Sequence, residues 1–382
     1  MSEEGLSLVA SAAELERALT ELSREPLLAV DTEAASFHRY YDRVYLVQLS
    51  SRSRTVIIDP LAVAELGRLG AILADADVEV VFHDADYDLR LLDQQYGFRA
   101  RRIFDTRIAA QLLNEPGIGL AALLEKYLAI SLDKRFQRAD WSIRPLSRDM
   151  LRYAADDTRH LPALRDILRD RLTSLGRLSW AEEEFSLLEE VRWGSSDGEE
   201  PGYLRVKGAK LLRGRSLAAL RELYQWRDET AARADRAAFR IINTEPLLEI
   251  AKTLPTDVTA LRAIRGVGQD LVERRGRDIL AAVRRALELP EQELPRIERG
   301  TRRVADPAFD ARVEQLKATR NELAIRLNLA PGVLCPNATL EAIARAVPRS
   351  LEELRAIPGV RRWQVETVGQ DLLAAMSATK AQ

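Results

Sequence analysis

Apolar positions in the first third of the chain follow two different spacings. Residues 12–24 place Leu15, Leu19 and Leu22 at helical intervals, whereas 27–30, 44–49 and 55–58 are short continuous apolar runs bounded by polar turns. The first pattern predicts a helix and the others strands. Helical spacing resumes over 61–73, a buried strand is expected at 78–82, and a helix at 87–96. Strands interleaved with helices predict an α/β domain. From about residue 106 onward nearly every segment has helical period, interrupted by Gly and Pro.

The helical part repeats itself. A shift of 93 residues lays Leu247, Ile250, Ala251, Pro255, Leu261, Ile264, Gly266 and Val267 on Leu340, Ile343, Ala344, Pro348, Leu354, Ile357, Gly359 and Val360 without a gap. So long a period is one small domain per copy, not a solenoid unit. In each copy Arg-Ala-Ile-x-Gly-Val ends a helix on glycine and opens a tight turn. The expected division is 1–200, 203–295 and 300–382.

Length and composition agree with this division. A chain of 382 residues, 46% apolar and 30% charged, is a folded multidomain protein and not a disordered one. No run approaches the ~18 apolar residues of a membrane span, and the first residues have neither the basic start nor the apolar run of a signal peptide. Cys335 is the only cysteine, which excludes an intrachain disulfide or a thiolate metal site and suits a reducing cytoplasm. A net charge of −2 excludes whole-surface attraction to nucleic acid, so any such contact is local. Charge is in fact segregated: 181–202 is an acidic, turn-rich linker, and Lys207, Lys210, Arg213, Arg215, Arg227 and Arg233 follow it.

Carboxylates mark the chemistry. The run at 27–30 leads into Asp31-Thr32-Glu33, and positions i and i+2 of a strand face one side. Alone, such a pair is more often a turn or a solvated edge. A second cluster, Asp84, Asp86 and Asp88, lies where the strand at 78–82 turns into a helix, the junction at which open α/β sheets form sites. Asp88 is the candidate because its helical phase places it with Leu92 on an inward face, while Asp84 and Asp86 fall in the turn. Tyr153 and Asp157, four apart on a later helix, share a face. Acids from three elements share one pocket only where cations neutralise them, and oxygen ligands suit Mg²⁺ or Mn²⁺. Two such ions are the arrangement for in-line attack on a phosphodiester.

These residues resemble the DEDD superfamily of 3′→5′ exonucleases and, within it, the ribonuclease D family. Val30-Asp31-Thr32-Glu33, the segment ending at Asp88, and Tyr153-x-x-x-Asp157 match its three motifs, with tyrosine four before the last aspartate as in the tyrosine branch. Asp156 stands beside Asp157, but only Asp157 keeps the spacing from Tyr153. The stretch from Lys134 to Leu146 looks like the block before the third motif, and the two repeats are similar to HRDC domains. The resemblance implies a ribonuclease H-like nuclease domain with a mixed central sheet followed by two all-α HRDC-like domains. It implies that Asp31, Glu33, Asp88 and Asp157 hold two divalent metal ions, Mg²⁺ or Mn²⁺, and that Tyr153 orients the attacking water. The implied substrate is the single-stranded 3′ end of RNA, transfer-RNA precursors among them, with no membrane and no obligate protein partner.

Sequence-blind binding of a 3′ end needs stacking surfaces and phosphate contacts. Phe37, Tyr40 and Tyr41 are candidate stacking residues, Gln48 a candidate contact to the terminal nucleotide, and Arg144 and Arg148 candidate phosphate contacts. Lys207, Lys210 and Arg213 are candidates for gripping an RNA backbone. Two rival readings stay open: a DNA exonuclease of the same fold, and a binding scaffold with a vestigial nuclease site.

Overall fold

The computed structural model describes residues 6–63, 65–194, 200–297 and 306–378. Six strands form one mixed sheet: β1 (Leu6–Val9), β2 (Leu27–Glu33), β3 (Leu46–Ser50), β4 (Thr55–Ile58), β5 (Glu79–Phe82) and β6 (Ile103–Asp105), in the order β1-β4-β3-β2-β5-β6. β3 runs antiparallel to both β2 and β4, and the remaining pairs are parallel. Eight helices accompany it among the described residues: α1 (Ala12–Leu22), α2 (Gly67–Leu73), α3 (Asp86–Tyr96), α4 (Thr106–Leu112), α5 (Leu120–Leu128), α6 (Arg148–Arg159), α7 (Leu161–Ser174) and α8 (Leu178–Leu188).

Both faces of the sheet are covered, which is why its strands read as continuous apolar runs instead of alternating ones. Leu28, Val30, Val47, Leu49, Val80 and Phe82 pack against the buried leucines of α1, α2 and α3. On the other face Ala29 and Val81 meet α4 and α7, and Leu46 and Ile57 meet Ala154 and Ala155 of α6. Those two small residues let α6 lie close to β2 and β3, and Ser147 starts the helix by accepting the Met150 N–H at 3.2 Å.

Three expectations shift. The helix expected at 61–73 forms only as Gly67–Leu73, because Asp59 turns the preceding chain: its Oδ1 accepts the Leu61 N–H and its carbonyl those of Ala62 and Val63. β1 and β6 were not expected. At four and three residues they are too short to show a period, and pairing with β4 and β5 creates them.

The helical part keeps the repeat in register. The first unit has α9 (Gly214–Ala234), α10 (Thr244–Thr253), α11 (Val258–Arg262) and α12 (Gln269–Glu288). The second has α13 (Pro307–Arg326), a short α14 (Pro331–Leu334), α15 (Asn337–Ala346), α16 (Leu351–Arg355) and α17 (Arg362–Ala378). α10 and α11 superpose on α15 and α16 at the 93-residue offset, and α9 and α12 start 93 residues before α13 and α17. Gly266 and Gly359 take φ of +85° and +86° at the turns into α12 and α17. At Gly266 an added Cβ would lie 2.7 Å from Pro246 Cγ, so the left-handed turn and the close approach both require glycine.

Both units dock on the nuclease part. The loop after β2 is gripped by the first: Tyr40 donates its hydroxyl to Asp228 at 2.8 Å, the Tyr40 N–H reaches Asp235, Ala237 N–H donates to the His38 carbonyl, and Arg240 Nε donates to that of Phe37. The second unit sits on α8. Part of the expected acidic linker is therefore not linker: Glu183 accepts the Arg362 and Trp363 N–H groups that open α17, and Glu184 takes Trp363 Nε1 and the Arg361 guanidinium. Trp180 and Trp363 stack with ring centroids 4.7 Å apart. Residues 195–199 of that linker, Asp197 and Glu199 among them, lie outside the described residues.

Candidate active site

β2 continues through Glu33, so Asp31 and Glu33 are strand residues facing the side covered by α6. Tyr153 and Asp157, one turn apart on α6, come down on them. Carboxylate oxygens of Asp31, Glu33 and Asp157 all lie within 4.8 Å of one another. Asp88 enters from the first turn of α3, and its Oδ1 accepts both the Thr32 N–H at 3.1 Å and the Thr32 hydroxyl at 2.5 Å. Thr32 faces the other way from its neighbours, which is how one strand holds two acids and anchors a third. The competing aspartates are spent elsewhere: Asp84 pairs with Arg107 and Asp86 with Arg90, both exposed, and Asp156 pairs with Arg159 at 3.2 Å.

Electrostatics follow from this crowding. At an effective dielectric of ~20, two carboxylates ~4.8 Å apart repel by about 3.5 kcal/mol. Burial, the charge of Asp157 and the other acids hold Asp31 and Glu33 well above the ordinary carboxylate range. Asp88 is raised by burial and Asp31 against the pull of the Thr32 hydrogen bonds. Asp157 is pushed up to about 7 by burial first, then by Asp156 and Asp88. Burial and the same acids raise the Tyr153 phenol, which stays a neutral O–H at physiological pH. Its ring is wedged between Trp141 and Phe136, each 6.0 Å away, so the stretch from Lys134 to Leu146 is the brace of the tyrosine. Oxygen donors alone, drawn together while their charges oppose it, fit a hard divalent cation.

The acids and Tyr153 open into a cleft of about 610 Å³ that also has His83, Tyr87, Leu132, Lys134 and Gln137 in its walls. None of these five stands out in the sequence as a contact residue, although Lys134 and Gln137 lie in the stretch already distinguished by its motif. A groove of similar size, about 650 Å³, between α9 and α12 has interleaved acidic and basic walls and no convergent acids.

Several expected contacts sit elsewhere. Gln48 is opposite Asp31 in the sheet but 0% exposed beneath α6, with neither side-chain atom hydrogen-bonded, so no nucleotide reaches it. Arg144 is consumed by Asp59, at 2.6 and 2.7 Å, and by the carbonyls of Tyr45, Trp141 and Ile143. Phe37 packs edge-on to Phe239 and under Arg138, and Tyr40 is tied to Asp228, so both serve the docking of the first helical unit. Tyr41 stands beside Tyr40, 46% exposed. Arg227 is buried in that unit over the Tyr224 ring. Arg148 is exposed at the first turn of α6, and Lys207, Lys210 and Arg213 are exposed before α9, Lys210 pairing with Glu200 and Arg213 with the Lys210 and Leu212 carbonyls.

The relatives agree with this architecture. A 3′-5′ exonuclease family profile matches residues 7–173, and an HRDC domain profile matches 216–283 and 309–376. Ribonuclease D of Granulibacter bethesdensis is 33% identical over 373 residues, covering 96% of this chain and 92% of the relative. Ribonuclease D of Pseudomonas paraeruginosa is 32% identical over 368 residues, covering 96% of each. Among solved structures, a Bifidobacterium adolescentis protein superposes with a TM-score of 0.83 at 26% identity, covering 98% of this chain and all of that one. The catalytic core of RRP6 from Trypanosoma brucei gives 0.66 at 29%, covering 75% and 81%. Escherichia coli RNase D, an exoribonuclease involved in structured RNA processing, gives 0.71 at 23%, covering 98% and 99%, and shares the fold. A six-stranded mixed sheet with a converging acid set, two repeated HRDC domains and full-length similarity place the chain in the ribonuclease D family of 3′→5′ exoribonucleases.

Proposed function

We propose that the protein removes nucleotides from RNA 3′ ends as 5′-monophosphates, with Asp31, Glu33, Asp88 and Asp157 holding two divalent cations, Mg²⁺ or Mn²⁺. The observation that carries this reading is the convergence of three carboxylates within 4.8 Å at the floor of an open cleft. Cations held there supply the charge that stabilises the transition state and activates water. The chain's own residues do the positioning. Asp31, Glu33 and Asp157 fix one ligand set, while the Thr32 hydrogen bonds aim Asp88 at its edge. The neutral Tyr153 hydroxyl, four residues from Asp157 and braced by Trp141 and Phe136, orients the nucleophile.

We assign the boundaries 1–200, 203–295 and 300–382 to the nuclease and two HRDC domains. Arg148, exposed at the first turn of α6, and Lys207, Lys210 and Arg213 on the first HRDC domain, are proposed backbone contacts of a structured RNA, with transfer-RNA precursors the favoured class. A cytoplasmic site of action is part of this reading; no helix among the described residues is long and apolar enough to cross a membrane.

The test is degradation of 5′- and 3′-labelled RNA, beside DNA of the same sequence, with Mg²⁺ or EDTA, by wild type and Asp157→Ala. Stepwise release from the RNA 3′ end that needs metal and Asp157 supports the reading. Equal rates on DNA defeat the substrate assignment; RNA binding with no cleavage leaves the scaffold reading in its place.

A further inference from the structure

The wall of the cleft next to α3 contains an acceptor that the proposed mechanism leaves unused. His83 lies at the end of β5, partly exposed, among the residues lining the cleft with Asp31, Glu33, Asp88 and Asp157. Its Nδ1 is 2.9 Å from Thr106 Oγ1, and that hydroxyl donates its single hydrogen to the Phe82 carbonyl at 3.1 Å. With that hydrogen on the Phe82 carbonyl, Thr106 accepts from the ring, and the imidazole takes the tautomer protonated on Nδ1. Nε2 is left as a bare lone pair. It has no hydrogen-bond partner among the described residues, yet it is not one of the atoms sealed from solvent. The ring stays neutral, because burial, helped by Arg107, pushes its pKa down to about 4. The Thr106 anchor is itself rigid, being the first residue of α4, whose N-cap Asp105 also holds the Ala85 N–H that leads into α3.

A neutral acceptor in this place selects its ligand by chemistry. It cannot pair with phosphate oxygens, which only accept; it needs a donor. The donors that every RNA 3′ end presents regardless of sequence are ribose hydroxyls. We infer that His83 Nε2 accepts a hydrogen bond from a ribose hydroxyl of the 3′-terminal nucleotide and thereby reads the sugar of the substrate. This inference rests on the exoribonuclease reading, and makes His83 a specificity residue distinct from the acids that carry the reaction.

The experiment compares kcat/KM on three oligonucleotides that differ only in the terminal sugar: ribose, 2′-deoxyribose and 3′-deoxyribose. Wild type, His83→Ala and His83→Gln are assayed in the full-length protein with Mg²⁺, and thermal melting of each variant is recorded. With wild type, loss of the accepted hydroxyl lowers kcat/KM roughly three- to tenfold, the range of one net hydrogen bond. His83→Ala then lowers the ribose substrate by the same factor and leaves unchanged the one substrate that lacks that hydroxyl. His83→Gln, whose amide oxygen still accepts, recovers part of the discrimination. The 2′ arm tells whether the contact selects RNA over DNA; the 3′ arm, whether it selects a free end. Equal loss on all three substrates indicates a purely structural role and overturns the inference, as does no loss on any. Wild type that degrades none of them brings down the exoribonuclease reading as well.

Discussion

Replacing Asp157 by asparagine removes one charge from the acid cluster with almost no change of shape. In the metal-free protein that change stabilises the fold. The Asp157 carboxyl rises from the ordinary 3.8 to about 7 on folding. A rise of that size corresponds to about 4 kcal/mol of ionisation free energy, or about 2 where neighbouring acids share the proton. The sign follows from linkage. A folded-state pKa above the unfolded one means that the native state holds a proton the unfolded chain has released, so stability falls as pH rises from about 4 through 7 and levels above. Asp31, Glu33 and Asp88 are raised as well and push in the same direction. In EDTA, wild type therefore melts progressively lower between pH 5 and 8, and Asp157→Asn melts higher than wild type at pH 8. At roughly 2–4 °C per kcal/mol for a domain of this size, the gain is about 4–15 °C. At pH 5, where Asp157 is already protonated, the gain shrinks towards zero. Adding Mn²⁺ reverses the order, since wild type is stabilised by binding and the variant has lost a ligand. Calorimetry of the first transition across pH, with chelator or metal, reads all of this. A wild-type melting temperature flat from pH 5 to 8 in chelator, with Asp157→Asn the less stable there, refutes the reasoning.

Tyr153→Phe keeps the ring between Trp141 and Phe136 but removes the hydroxyl, and is expected to lower kcat about a hundredfold with little change in KM; steady-state kinetics on a short oligonucleotide decide it. Gln48→Leu replaces a buried amide with no partners by an apolar side chain of similar size, so chemical denaturation should show equal or greater stability, by up to about 2 kcal/mol, and a clear loss would mean that the amide has a partner. Gly266→Ala forces a Cβ towards Pro246 at positive φ, with an expected loss of about 1–3 kcal/mol in the first HRDC domain, visible as early hydrogen exchange in α10–α12. Joint substitution of Lys207, Lys210 and Arg213 by glutamate should weaken binding of a structured RNA and flatten its salt dependence, the log–log slope dropping by about 3, while activity on a short oligonucleotide stays unchanged.

The acids are legible in the sequence because local geometry is enough to group them. Two carboxylates two apart on a strand, and a tyrosine and an aspartate four apart on a helix, face together whatever surrounds them. Asp84 falls in the turn as expected and pairs with Arg107. Asp86, expected in the turn, opens α3 on its exposed side and pairs with Arg90, so phase along the helix and not the turn separates it from Asp88. The expected contacts that moved are governed by distant partners. Whether Gln48 faces solvent depends on α6, a hundred residues later; Arg144 is decided by Asp59, and Phe37 by Phe239 and Arg240. In the cleft, His83 and Lys134 are ordinary polar residues until the fold sets them beside the acids. The 93-residue repeat is legible to the residue because the same helix lengths, turns and left-handed glycines recur, but nothing in it says that the second copy docks on α8.

That docking bears on how the protein is made. The nuclease part leaves the ribosome first, and its α8 carries Trp180 and the carboxylates of Glu183 and Glu184 well before Arg361, Arg362 and Trp363 exist to meet them. During co-translational folding this surface waits open while nearly half of the chain is still to be synthesised. Chains cut short by a nonsense codon or a nick before residue 361 keep Asp31, Glu33, Asp88 and Asp157 but leave an indole and two acidic side chains without their partners. Quality control that recognises exposed apolar surface can thus remove incomplete copies.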